Sequence, residues 1–168
     1  YKGQQKEEAM EVIERQAPKI GAPLLVHGQN WHVGVEAERL IYQDETGLLD
    51  LPLPSLQGPH QIQNAGAAIA TLRFLGMGET ACTAAVSQAF WPGRMQRLRT
   101  GALVENLSCN EIWLDGGHNP AAGRAIAATL ANLAKRETHI ICGLLNTKDA
   151  PGLLAAVGTH CASPTTTT

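Results

Sequence analysis

The sequence predicts an α/β protein, and three observations predict it. Between residues 59 and 75 apolar side chains recur at helical spacing, with Ile62, Ala65, Ile69 and Leu72 in one stripe. Upstream, four short β-like runs at 23–27, 31–35, 39–43 and 48–53 are punctuated by Gly28, Gly34 and Gly47. Downstream of residue 94 the pattern becomes strand, helix, strand, helix, which is the order that builds a parallel sheet.

The length of 168 residues suits one domain or parts of two, and a hydrophobic content of 44% is enough for a real core. A net charge of −2 gives no electrostatic basis for binding nucleic acid or an anionic membrane. The chain has no run of about 18 apolar residues to span a bilayer, and no charged-then-apolar leader. Cys82, Cys109, Cys142 and Cys161 are scattered without a CxxC pair. They read as reduced, mostly buried thiols of a cytoplasmic protein, with no metal site.

Each element has a local reason. Residues 4–20 form a charged amphipathic pattern with Ala9, Val12, Ile13 and Ala17 on one face and Gly21 as the stop. Pro52 and Pro54 end the β-like region. The helix at 59–75 leaves His60 and Asn64 together, opposite its apolar stripe. A third helix is expected at 79–90, cut by Pro92 and Gly93, and a domain boundary at 91–94. Beyond it the expectation is strands at 98–107 and 111–114, a helix at 120–134, a strand at 138–143 and a helix at 149–157. The last residues end in SPTTTT, which has no apolar side chain and is expected to be disordered.

The stretch LDGGHNPAAGRAI at 114–126 is the most informative. Asn119 is a good N-cap and Pro120 suits the first helical position, so an apolar strand passes through a glycine turn straight into a helix. In parallel α/β sheets that junction lies at the carboxyl edge, where ligands bind, which puts Asp115 and His118 in place for chemistry. The alternative is that both only cap and hydrogen-bond the turn. Elsewhere, GMGETA at 76–81 matches a dinucleotide fingerprint in letters but sits between two helices, so it reads as a turn. His27 and His32 flank a hairpin turn without a third ligand, and no Walker loop GxxxxGK[ST] is present.

Four blocks occur in a fixed order: GPHQIQNA at 58–65, WPGR at 91–94, DGGHNP at 115–120 and LLNTKD at 144–149. Together they resemble the bacterial dihydrofolate synthase and folylpolyglutamate synthase family of the Mur ligase group. The resemblance implies that residues 1–92 are the C-terminal end of a Mur-ligase-type central ATPase domain. Residues 93–160 would then be the first part of a Rossmann-like C-terminal domain, and 161–168 a disordered tail. It also implies an ATP-dependent ligase that joins L-glutamate to dihydropteroate or folate through an acyl phosphate. In that scheme Asn64 contacts adenine, Arg94 the ATP, and Asp115 the ribose, while His118 lies at the phosphoryl and glutamate end as the catalytic residue. The P-loop, the Mg2+ ligands and a modified lysine are expected upstream of these blocks, so the chain reads as an interior segment of a longer, monomeric ligase and is expected to be inactive alone. Two other readings stay open: a peptidoglycan Mur ligase segment, and a non-catalytic nucleotide-binding or scaffolding remnant.

Overall fold

A computed structural model of the chain describes residues 7–107, 111–133, 137–158 and 163–166. Two compact units are present, Tyr1–Ser55 with His60–Phe90, and Leu56–Pro59 with Trp91–Thr168. The architecture is mixed α/β. No helix among the described residues is long and apolar enough to cross a membrane.

The first unit begins with α1 (Glu7–Gln16), followed by a short 3-10 turn, Pro18–Ile20. The single helix expected at 4–20 is thus shortened and split, because Pro18 lacks the N–H that would continue the ladder. Residues 4–6 lie outside the described residues. Gly21 closes the turn in the left-handed conformation at φ 64, its N–H donating to the Pro18 carbonyl.

Three antiparallel strands follow in the order β1 (Trp31–Glu36), β2 (Arg39–Asp44) and β3 (Gly47–Leu51). The register pairs Trp31 with Asp44 and Tyr42 with Leu49. Ala37 and Glu38, both at positive φ, make the tight β1–β2 turn that matches strand twist. The strand expected at 23–27 is absent: only an isolated bridge joins His27 to Trp31. There the chain folds back instead, with Asn30 Oδ1 accepting from Val26 N at 2.8 Å and Gly28 at φ 84.

Helix α2 (His60–Phe74) lies on the sheet and α3 (Glu79–Ser87) completes the unit. The core is Trp31, Leu40, Tyr42, Leu49 and Leu51 from the strands, with Ala65, Ile69, Ala70, Cys82 and Val86 from the helices. Close approach depends on Gly66, where a Cβ would come within 2.6 Å of both Trp31 and Val33. At the other end of α2, Arg73 donates two hydrogen bonds to Asp44, at 2.8 and 2.9 Å, and ties the helix to β2. Helix α3 stops at Ser87, three residues before the expected end at 90.

The second unit contains β4 (Gln96–Leu98), α4 (Ala102–Glu105), β5 (Ile112–Leu114), α5 (Pro120–Asn132), β6 (His139–Cys142), α6 (Ala150–Val157) and β7 (Ser163–Thr166). Three expectations are corrected here. The strand predicted at 98–107 ends at Leu98, because Gly101 at φ 106 turns the chain and its carbonyl accepts from Val104 and Glu105 as the first bonds of α4. Strands β4 and β5 pair antiparallel rather than in one parallel sheet; among the described residues the parallel pairing is between β6 and β7. Within the tail expected to be disordered, residues 163–166 instead form β7 along the open edge of β6, while 161–162 and 167–168 lie outside the described residues. Helices α5 and α6 pack at Gly123, whose Cβ position lies 2.6 Å from the Leu153 carbonyl oxygen.

Candidate functional site

In the second unit two strand ends open into the same cleft. Asp115 to His118 follow β5, Gly143 to Leu145 follow β6, and together with Lys148 they line an open cavity of about 340 Å³. The two helices leaving these turns are capped by side chains: Asn119 Oδ1 accepts from Ala122 N, and Asp149 Oδ1 accepts from Gly152 N, both at 2.9 Å. Polar residues therefore gather where two α-helices begin.

Asp115 is half-buried, and both its oxygens are engaged by the backbone. Oδ1 accepts from Gly117 N at 2.7 Å and Oδ2 from Met95 N at 2.8 Å. The second bond explains an unusual conformation, because Met95 is buried at a positive φ of 42. That conformation costs a non-glycine residue roughly 1–2 kcal/mol. The carboxylate holds it, together with the Gly116 N–H donating to Gly93 O at 2.7 Å. The turn after β5 and the segment 93–95 are thus one hydrogen-bonded assembly, and Arg94 stands in its middle. Arg94 is exposed and makes no ion pair with a described residue, so its guanidinium is available to an anion. A carboxylate offers about four lone-pair sites, so Asp115 retains acceptor capacity beyond its two backbone bonds.

His118 is exposed, with Nδ1 3.0 Å from the Gly116 carbonyl. A carbonyl only accepts, so Nδ1 carries the proton, and in the neutral ring Nε2 presents a lone pair. Gly117 must be small: a Cβ there would meet Ile126, Asp115 Oδ1 and Ala122 at 2.9–3.1 Å. Met95 was not singled out in the sequence, and Lys148 was included only as part of the LLNTKD block, without a role.

Asn64 belongs to the first unit, on the exposed side of α2. Its Nδ2 donates to Gln61 Oε1 at 2.9 Å, and Gln61 Nε2 lies 3.1 Å from His60 Nε2. Gln61, which helical spacing alone did not single out, is only 5% exposed. Near the β1 end of the sheet, His27 packs edge-on to Trp31 at 4.8 Å, and burial together with His32 pushes its pKa down. Among the described residues no group of three or more His, Cys, Asp or Glu is arranged to hold a metal ion.

Comparison with known proteins shows what the chain is similar to. Over 118 residues, 64% of the chain, the sequence is 34% identical to the dihydrofolate synthase/folylpolyglutamate synthase of Mycobacterium tuberculosis. The fold superimposes on the folylpolyglutamate synthase of the same organism, solved with ADP and AMPPCP, with a TM-score of 0.80 and 27% identity over 98% of the chain. The chain resembles the folylpolyglutamate/dihydrofolate synthases. Its fold is accordingly of the Mur ligase type. The E. coli FolC structure in complex with DHPP and ADP gives a TM-score of 0.77 at 28% identity, covering 92% of the chain. The chain spans 22% of the length of the Mycobacterium tuberculosis synthase in the sequence comparison, 12% of a probable bifunctional folylpolyglutamate synthase/dihydropteroate synthase of Halobacterium salinarum to which it is 33% identical over 62% of the chain, and 35–37% of the two solved structures. No protein-family profile matches it.

Proposed function

We propose that this chain is part of an ATP-dependent ligase that joins L-glutamate to dihydropteroate or folate. The observation that carries the proposal is the cleft where Asp115, His118 and Lys148 meet at the carboxyl ends of β5 and β6. Carboxyl strand ends are where open α/β sheets bind nucleotides, and related synthases are solved with adenine nucleotides.

In this reading the γ-phosphoryl group of ATP passes to the carboxylate of the pteroate or folate, releasing ADP and forming an acyl phosphate. The glutamate amine then attacks the acyl carbon and inorganic phosphate leaves. Asp115 accepts from the ribose hydroxyls while holding the 93–95 segment in shape. Arg94, carried on that segment, presents its guanidinium to phosphate oxygens. Asn64 reads the adenine edge, where an amide supplies one donor and one acceptor. His118, with its Nε2 lone pair facing out, serves the end where the phosphoryl and amino groups react, taking or holding a proton from the incoming ammonium. Magnesium accompanies ATP, and its ligands are not among these four residues. The domain assignment follows: residues 1–92 belong to the ATPase side and 93–160 to the Rossmann-like side, and the enzyme acts as a monomer in the cytoplasm.

Steady-state kinetics in a full-length ligase carrying this segment test the proposal. Asp115→Ala should raise the KM for ATP by about tenfold or more, since charge-assisted hydrogen bonds contribute roughly 1.5–3 kcal/mol. His118→Ala should lower kcat more than it changes the ATP KM. The chain by itself, given ATP, dihydropteroate and glutamate, should form no dihydrofolate above a protein-free blank, because phosphoryl transfer depends on positioning the β- and γ-phosphates. Unchanged kinetics in both variants, with only a lowered melting temperature, would return Asp115 and His118 to a purely structural role.

A further inference from the structure

Gln61 is a buried amide on an otherwise apolar helix face, and a buried polar side chain costs stability unless its hydrogen bonds are made. Its bonds run along α2 toward the exposed surface. On one side Nε2 faces His60 Nε2 at 3.1 Å; on the other Oε1 accepts from Asn64 Nδ2 at 2.9 Å. An amide nitrogen can only donate, so in the His60 tautomer that leaves Nε2 unprotonated the Gln61 amide sits with Nε2 toward the ring and Oε1 toward Asn64. That in turn fixes Asn64. With Gln61 Oε1 taking one Nδ2 hydrogen, Asn64 is held with its nitrogen toward Gln61, leaving Oδ1 and the second Nδ2 hydrogen for a ligand.

We propose that Gln61 is a positioning residue that sets the amide orientation of Asn64, and through it the preference for adenine over a 6-oxo purine. The proposal rests on the reading of Asn64 as the adenine contact. On its Watson–Crick edge adenine carries a donor at the 6-amino group beside the N1 acceptor, whereas hypoxanthine carries the 6-oxo acceptor beside an N1–H donor. An Asn64 amide locked by Gln61 matches the first pattern and mismatches the second. An Asn64 free to rotate by half a turn accommodates either.

Two measurements on the 168-residue chain test it: the side-chain amide signals of Asn64 by NMR, and titration with ATP and ITP up to millimolar concentration. In Gln61→Leu, which keeps the volume and removes both hydrogen bonds, the Asn64 amide signals should move toward those of a free amide. The ATP-over-ITP preference should fall by about threefold to tenfold, the range one hydrogen bond spans, with the melting temperature held or raised. Gln61→Glu, whose carboxylate still accepts from Nδ2, should retain the Asn64 signals and most of the preference. Unmoved Asn64 signals in Gln61→Leu, or a full purine preference in that variant while Asn64→Ala loses it, would overturn the role of Gln61. If Asn64→Ala keeps the preference, or the chain shows no discrimination between ATP and ITP, the adenine reading of Asn64 fails instead, and the NMR result still decides whether Gln61 orients it.

Discussion

The two units place their apolar side chains differently. In the first, ten buried residues from three strands and two helices form one continuous core in which Trp31, Leu40, Tyr42, Leu51 and Ile69 are at most 1% exposed. In the second, burial centres on Met95, Ala127, Leu153 and Val157, while Ile141 in the middle of β6 is 82% exposed and Leu145 is 71% exposed. The difference separates two ways of holding the proposed site residues. Asn64 is displayed on a helix anchored to a closed core, whereas Asp115 and His118 sit on a turn held mainly by hydrogen bonds to backbone. The first kind of site is protected by packing; the second is only as firm as its polar contacts.

Truncating one isoleucine in each unit should show the contrast most clearly. Ile69→Ala is expected to lower unfolding free energy by about 2–5 kcal/mol, and Ile141→Ala to change it by less than about 0.5 kcal/mol. Urea unfolding of both variants checks this, and equal losses would dissolve the contrast.

The Asp44–Arg73 pair should show the next largest effect. Both side chains are mostly buried, and removing one partner strands the other, so Arg73→Met is expected to cost up to about 3 kcal/mol. Burial by itself pushes the Asp44 pKa up, but hydrogen bonds from Thr46 and Arg73 outweigh it and hold the carboxyl below its ordinary value. A lowered native pKa means that the stabilisation is complete above the ordinary carboxylate range and drains away as pH falls through the native value. The wild-type chain should therefore lose stability below about pH 4 more steeply than Asp44→Asn does, as melting curves across acid pH will show.

A smaller loss is expected from Gly66→Ala, about 1–3 kcal/mol, because the added methyl meets Trp31 and Val33 and must lift α2 from the sheet. Asp115→Asn sharpens the comparison at the other site. Both carboxylate oxygens accept from backbone N–H groups, so the amide necessarily turns its NH2 group toward one of them. The expected loss is about 1–2 kcal/mol, read as a lower melting temperature, with the Met95 and Gly117 amide protons exchanging faster.

Much of this was legible in the chain. Asn119 with Pro120 announced a helix start through residues whose local chemistry is self-sufficient. The hairpin strands were visible because each carries its own apolar pattern. What failed was pairing: residues 23–27 have a strand's composition, yet Asn30 and Gly28 fold them into a turn, and the threonine tail has a disordered composition, yet it finds the edge of β6. At the site, Asp115 and His118 stood out because polar side chains follow an apolar strand. Gln61 and Met95 did not, because an amide in a helix and a methionine after an arginine acquire meaning only from partners three or twenty residues away.

The sequence by itself determined the α/β class, the helix starts and the polar junction after β5, because caps, glycines and apolar periodicity act through near neighbours. Tertiary structure alone decided that β4 and β5 run antiparallel, and that Gly66 brings α2 close to the sheet. It also decided that the Asp115 carboxylate is divided between Gly117 and the strained backbone of Met95. Each of these depends on a distance between residues remote in sequence, set by the packing of whole elements.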